Sequence, residues 1–344
     1  MPPIQQALLL KKKFGDLVLD KISIPTPGPG EIRVKILSSS LNPVDWKIQK
    51  HGIFLDEFPA ILGSDIAGEV DELGPGVKEF DIRDRVFTQG LRSIEFAGFQ
   101  QYALSRASNV SKIPPNVSFD GASSFPVALT AAYVGLYNRS PHGLEFTPPT
   151  SSSARGKYAG TPIVILGGAS TVGQYTIQLA KVSGFSPIFT TASLKHTERL
   201  SALGATAVLD RNLPSSALAA AIVQRTQAPI LTVYDAISTE DTQQTGLTLL
   251  APGGRLAVVQ QPTTTCREGR TIVQVIGGLG QPHNIALLSQ FYHDVAYQFL
   301  EEGWLKPNNV EVLPDGLAGI PDGLRRLELD QVSGVKLVAR PQET

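Results

Sequence analysis

Three glycines hold the densest chemistry of the chain. Gly167, Gly168 and Gly173 follow a short apolar run, 163–166, and open a stretch of helical periodicity that Gly184 is placed to cap. Strand, glycine turn and helix in that order build a cradle for a dinucleotide pyrophosphate. In the turn Gly167-Gly168-Ala169-Ser170-Thr171-Val172-Gly173, Gly168 permits the bend. The small Ser170 lets backbone approach the phosphates, and Gly173 lets the helix pack on the sheet. The helix N-terminus adds unpaired N–H groups and a partial positive charge. Ser170 stands where G-x-G-x-x-G has its middle glycine, so the turn alone is also compatible with an ordinary tight βα connection.

A second stretch bears on which dinucleotide would bind. An enzyme selective for NAD places an acid roughly 20 residues past the glycine turn, to hold the ribose 2′-hydroxyl. Here that region reads Thr190-Thr191-Ala192-Ser193-Leu194-Lys195-His196, with no carboxylate before Glu198. A hydroxyl and an ammonium suit a 2′-phosphate, which a carboxylate would repel. The stretch therefore predicts NADP, although Ser193 could equally cap the next helix and Lys195 lie in solvent. No metal site is expected. The five histidines (His51, His142, His196, His283 and His293) are scattered, and Cys266 is the only cysteine, whereas a zinc site needs about three converging ligands.

The elements that must position these residues alternate in type. Segments 185–191, 207–210, 230–236, 255–260 and 271–277 read as further strands, and 196–204, 215–227 and the stretch up to 250 as helices. That alternation predicts a parallel sheet covered on both faces. The first ~125 residues differ: short β-rich runs at 31–38, 67–73, 85–88 and 99–104, broken by Gly and Pro, with little helical periodicity. They read as a barrel-like β domain. From Asp120 the chain turns helical, and 141–160, rich in Pro, Ser and Gly, reads as an exposed loop. A long amphipathic helix is expected at 287–305, then a strand at 310–313, a helix at 321–328 and a strand at 336–339.

Composition excludes several classes. The 344 residues carry 30 basic and 31 acidic side chains, which leaves no electrostatic footprint for nucleic acid or an anionic membrane. The Lys11-Lys12-Lys13 run is too short for a polybasic signal. No apolar run approaches the ~20 residues of a membrane span, and the N-terminus has no signal-peptide core. One cysteine rules out an intrachain disulfide framework, so a reducing, cytoplasmic setting is expected.

The motifs Pro27-Gly-Pro-Gly-Glu31, Asn42-Pro-Val-Asp45-Trp46, Gly63-Ser-Asp-Ile-Ala-Gly68, Asp84-Arg-Val86, Gly167 to Gly173, Leu203-Gly-Ala205 and Gly253-Gly254 together resemble those of the medium-chain dehydrogenases/reductases, over essentially the whole chain. The glycine turn, the Thr-Ala-Ser-Leu-Lys-His stretch and the terminal Val-Ser-Gly-Val-Lys-Leu-Val are most similar to the zinc-free quinone oxidoreductase and enoyl reductase branch, especially fungal stand-alone enoyl reductases. The resemblance implies a GroES-like catalytic domain at 1–126, an inserted Rossmann domain at 127–288, and a return to the catalytic domain at 289–344. It implies an NADP cofactor in the cleft between the lobes. Ser193, Lys195 and the adjoining His196 would lie at the 2′-phosphate, Thr130 near the nicotinamide ribose, and Val259, Ile276 and Gly277 along the carboxamide.

Asn42 stands where the zinc enzymes have a cysteine, and Ser64-Asp65 where they have His-Glu, which again implies no metal. The resemblance places Asn42 and Asp45 beside the nicotinamide and substrate, Asn42 as a donor to a carbonyl oxygen. Both residues are also ordinary turn formers. The implied activity is NADPH-dependent reduction of an enone, enal, enoyl thioester or quinone. A carbonyl reductase or alcohol dehydrogenase, or a nucleotide-binding protein without turnover, stays open, as does monomer against homodimer.

Overall fold

The computed structural model describes residues 3–266 and 269–344 and divides the chain into two compact units. One comprises Met1–Val127, Leu288–Gly303 and Pro307–Thr344; the other comprises Ala128–Leu287 with Trp304–Lys306.

The first unit begins with β1 (Ile4–Leu10), β2 (Leu17–Ser23) and β3 (Glu31–Ser40). α1 (Pro43–His51) follows, then β4 (Ala60–Ile61), β5 (Asp65–Leu73), β6 (Arg85–Gln89), β7 (Tyr102–Arg106), β8 (Val110–Lys112) and α2 (Phe119–Ser123). A three-stranded sheet has the order β2-β1-β4. Apolar side chains alternate inward along β3, so Ile32, Val34 and Ile36 join Ile66, Val70, Val86 and Ala103 in one core. β3 and β5 cross with two register shifts, and Gly68 at the second is obligatory: a Cβ there would stand 1.9 Å from the Lys35 carbonyl oxygen.

The helix α1 departs from the β-rich expectation for this region. Its signals are local: Pro43 in the first turn, Asp45 near the N-terminus and Gly52 closing the C-terminus in the left-handed conformation, φ 60°.

In the second unit, α3 (Pro126–Tyr137) leads to β9 (Ile163–Leu166), α4 (Thr171–Ser183), β10 (Ile188–Ala192), α5 (Thr197–Leu203), β11 (Ala207–Asp210) and α6 (Ser215–Val223). It continues through β12 (Thr232–Asp235), α7 (Glu240–Leu249), β13 (Arg255–Val258) and β14 (Thr271–Gln274). These six strands form one parallel sheet in the order β11-β10-β9-β12-β13-β14, the doubly wound order of dinucleotide-binding folds. Val164, Leu166, Phe189, Val233, Leu256 and Val258 point into a core closed by Leu218 and Ile222 of α6 and Leu247 of α7. Segment 141–160 is irregular, as expected, but not wholly exposed: Leu144 and Ala154 are buried, and Phe146, Tyr158 and Phe185 pack ring on ring.

The single helix expected at 287–305 is instead α8 (Ile285–Gln290), a π-helical turn (Phe291–Val295) and α9 (Ala296–Glu301). The extra residue of the wide turn lets Phe291, Tyr292 and Val295 all face inward, with Tyr292 against Phe87. After β15 (Val310–Val312) and α10 (Ile320–Glu328), the last strand β16 (Lys336–Ala339) joins the seven-stranded sheet of the first unit, β15-β16-β3-β5-β6-β8 with β7 on β3.

Candidate functional site

The second unit presents the cofactor turn at the carboxyl end of β9, beside the point where strand order reverses between β9 and β12. Gly167 adopts φ +78°, and its N–H donates to Thr191 Oγ1 at 3.0 Å. Gly168 lies so close to β10 that a Cβ would meet Thr190 Oγ1 at 2.0 Å, and a Cβ on Gly173 would meet the Gly167 carbonyl at 2.3 Å. Only glycine fits at either position.

Ser170 does more than the sequence implied. It is the N-cap of α4, its Oγ accepting the Gly173 N–H at 3.0 Å. Because α4's first intrahelical bond runs from Gln174 to Ser170, Thr171 and Val172 keep their N–H groups without an intrahelical partner. Gly184 closes the helix at φ 93°. The cradle fits the pyrophosphate of a dinucleotide.

At the end of β10, Ser193 precedes a 3-10 turn, Leu194–His196, but its side chain makes no capping bond. Lys195 is exposed. The His196 imidazole is lowered from its ordinary pKa, chiefly by burial and then by the charges of Lys195, Arg211 and Arg199. Sequence reasoning missed both arginines. Arg199 Nε donates to Gln174 Oε1 at 2.9 Å, and Gln174 Nε2 reaches the Ala169 carbonyl, so α5 is tied to the glycine turn. Arg211 N–H donates to the Ala192 carbonyl at 3.0 Å. The parallel pairing of β11 with β10 carries the signal for Arg211, since it brings the residues following the two strands side by side.

The remaining residues of this unit are less open. Thr130 on α3 is fully enclosed. Val259 is half-buried and its N–H is taken by Ser238 Oγ at 2.8 Å. Ile276 is exposed, and its carbonyl, with that of Gly278, accepts from buried Asn284. Gly277 presses on α3, where a Cβ would meet Ala131 Cα at 2.6 Å.

The first unit holds a buried polar cluster around Asn42. Asn42 Nδ2 donates to Asp65 Oδ2 at 2.8 Å, and Asn42 Oδ1 accepts from Lys336 Nζ at 2.5 Å. Lys336 pairs with Asp65 Oδ2 at 2.9 Å, and Asp65 Oδ1 accepts the Val127 N–H at 2.7 Å. Asp45 turns back on its own helix, taking the Asn42 N–H at 2.8 Å and the Gly63 N–H at 3.3 Å. Burial, aided by the charge of Asp65, pushes the Asp45 carboxyl up to about 7 against the pull of those bonds and of Lys336. Both Asp45 carboxylate oxygens are thus taken by backbone N–H groups. No pattern along the chain pairs Lys336 with Asp65, which stand 271 positions apart.

Among the described residues no group of three or more His, Cys, Asp or Glu is placed to hold a metal ion. Asn42, Ser64 and Asp65 do not fit one either, since Asp65 already carries an ammonium. Tyr133 and Tyr137 are buried with their hydroxyls pushed well above the ordinary pKa, and Tyr137 bonds Ser183 Oγ at 2.7 Å, so both are packing residues. No helix among the described residues is long and apolar enough to cross a membrane.

Residues 28–115 match the alcohol dehydrogenase GroES-like domain, and residues 171–279 match the domain described as zinc-binding dehydrogenase. The chain is 31% identical over 97% of its length to dehydrogenase orsE of Emericella nidulans, covering 98% of that protein. It is 31% identical over 92% of its length to trans-enoyl reductase resD of Aspergillus sclerotiorum, covering 94% of it. A quinone oxidoreductase of Pseudomonas syringae pv. Tomato DC3000 shares the fold, with TM-score 0.77, 21% identity and coverage of 97% of this chain and 99% of that one. With its GroES-like and dinucleotide-binding sheets, the chain belongs to the medium-chain dehydrogenase/reductase family of nicotinamide-dependent oxidoreductases, among the relatives of the fungal trans-enoyl reductases and quinone oxidoreductases.

Proposed function

We propose that the protein is an NADPH-dependent, zinc-independent reductase of C=C bonds conjugated to a carbonyl, as in enones, enals and enoyl thioesters, or of quinones. The observation that carries this reading is the Asn42 cluster. Where zinc relatives would gather metal ligands, this chain offers an amide donor backed by a buried ammonium. Such a site can stabilise negative charge on a carbonyl oxygen by hydrogen bonding. The near full-length similarity to a trans-enoyl reductase supports the same reading.

NADPH, when bound, supplies a hydride from C4 of its nicotinamide. The turn Gly167–Gly173 would hold the pyrophosphate. Ser193 and Lys195, with His196 beside them, would hold the 2′-phosphate, and Val259, Ile276 and Gly277 would flank the carboxamide. Thr130 would stand at the nicotinamide ribose. Asn42 would donate to the substrate's carbonyl oxygen, which gains charge as the electron pair enters at the β-carbon. A proton delivered to the α-carbon, from solvent or from a ribose hydroxyl, completes the saturated product. Asp45 keeps Asn42 in place by holding its backbone.

The test is a substrate panel followed by NADPH oxidation. Turnover of enones, enals, enoyl thioesters or quinones is expected. Turnover confined to simple aldehydes and ketones would replace the reading with a carbonyl reductase, and nucleotide binding without turnover would make the protein non-catalytic.

A further inference from the structure

Lys336 is a buried cation paired with a buried carboxylate. It is 3% exposed and its partner Asp65 is fully buried. Taking two ions out of water is costly, and a well-packed apolar pair is often as stable. Stability alone therefore gives no reason for a lysine on β16 to reach Asp65 on β5.

The amide between them gives one. An ammonium only donates and a carboxylate only accepts, so Asn42 has one available orientation, Oδ1 toward Lys336 and Nδ2 toward Asp65. With Oδ1 engaged and one Nδ2 hydrogen on Asp65, the side chain has a single N–H left to offer. The ammonium on Oδ1 also draws charge through the amide and strengthens that N–H as a donor.

We propose that Lys336 and Asp65 are positioning residues that lock Asn42 as an obligate hydrogen-bond donor, so that the substrate must bring an acceptor oxygen of carbonyl type to this point. The inference rests on the role given to Asn42 above. It adds that Asn42 alone is insufficient: without the ion pair the amide can turn over and present its own oxygen, which repels a developing enolate.

The experiment compares Asn42→Ala, D65N/K336M and the triple variant N42A/D65N/K336M with the parent, using NADPH and an enone. The D65N/K336M pair removes both charges together, so no ion is left stranded in the core. Three quantities are read: kcat, NADPH affinity, and the side-chain 15N resonance of Asn42 in selectively labelled protein. The lock predicts a kcat loss of about 10- to 100-fold in D65N/K336M, a misplacement-sized effect. NADPH affinity should be unchanged and the Asn42 resonance displaced, with no further kcat loss when the pair is replaced in the Asn42→Ala background. An unchanged kcat or resonance in D65N/K336M would overturn the lock, as would the same fractional loss in both backgrounds. If Asn42→Ala itself leaves kcat intact, the role of Asn42 falls and takes the lock with it, which separates the two failures.

Discussion

The glycine turn after β9 and the buried cluster around Asn42 are built on opposite plans. In the turn, the geometry is set within seven consecutive residues: Gly167, Gly168 and Gly173 create the space and α4 begins at Thr171. In the cluster, Asn42 is fixed by Asp65 on β5 and Lys336 on β16, 23 and 294 positions away. The turn needs only local backbone geometry. The cluster needs the whole seven-stranded sheet, because Lys336 arrives with the last strand. The proposed phosphate cradle is thus set locally, whereas the proposed donor in the first unit needs the finished fold.

The steepest loss comes from the long-range half. Lys336→Met strands the Asp65 carboxylate in the core and should cost about 3–5 kcal/mol of stability, read from denaturant unfolding. D65N/K336M should recover most of that loss. Equal instability of the two variants would mean that the pair is not electrostatically coupled. Next comes Asn42→Ala, which should lower kcat and kcat/KM together by about 10²-fold in steady-state kinetics if Asn42 is a main donor to the transition state. A rise in KM at constant kcat would reduce Asn42 to ground-state binding.

The same contrast explains what the sequence disclosed. The doubly wound sheet was legible because each strand is a short apolar run bounded by turn residues, as at 163–166 and 207–210. The glycine turn was legible because close approach leaves glycine no substitute. α1 lies in a region of β-rich texture although Pro43, Asp45 and Gly52 mark both its ends; nine residues are too few for periodicity to stand out. The π-helical turn at Phe291–Val295 left no local sign, since it follows from the need to bury Phe291, Tyr292 and Val295 at once. Asn42 was recognisable from its motif. That its amide is held at both ends was not, because no pattern along the chain couples residue 42 to residue 336.

On the local side, Lys195→Ala should weaken NADPH binding by about 1.5–3 kcal/mol, the worth of a charge-assisted contact, and leave NADH nearly unaffected. Calorimetric titration with each nucleotide checks this, and equal losses for both would remove the 2′-phosphate assignment. Arg211, beside the same strand end, offers a second cation for comparison.

The cluster also carries a pH dependence. The Asp45 carboxyl titrates near 7 in the folded protein and near 3.8 in the unfolded chain, so the folded state holds the extra proton between those values. Stability from this group is full below about 4 and is lost as pH rises through about 7. Asp45→Asn should flatten that decline in melting temperature across the window. An unchanged slope would assign the decline to other groups.

Isotope transfer reports where the hydride is delivered. With 4-deuterated NADPH and a conjugated enone, deuterium is expected on the β-carbon of a saturated ketone, detected by NMR of the product. Deuterium on the carbonyl carbon of an allylic alcohol would contradict it and make the protein a carbonyl reductase.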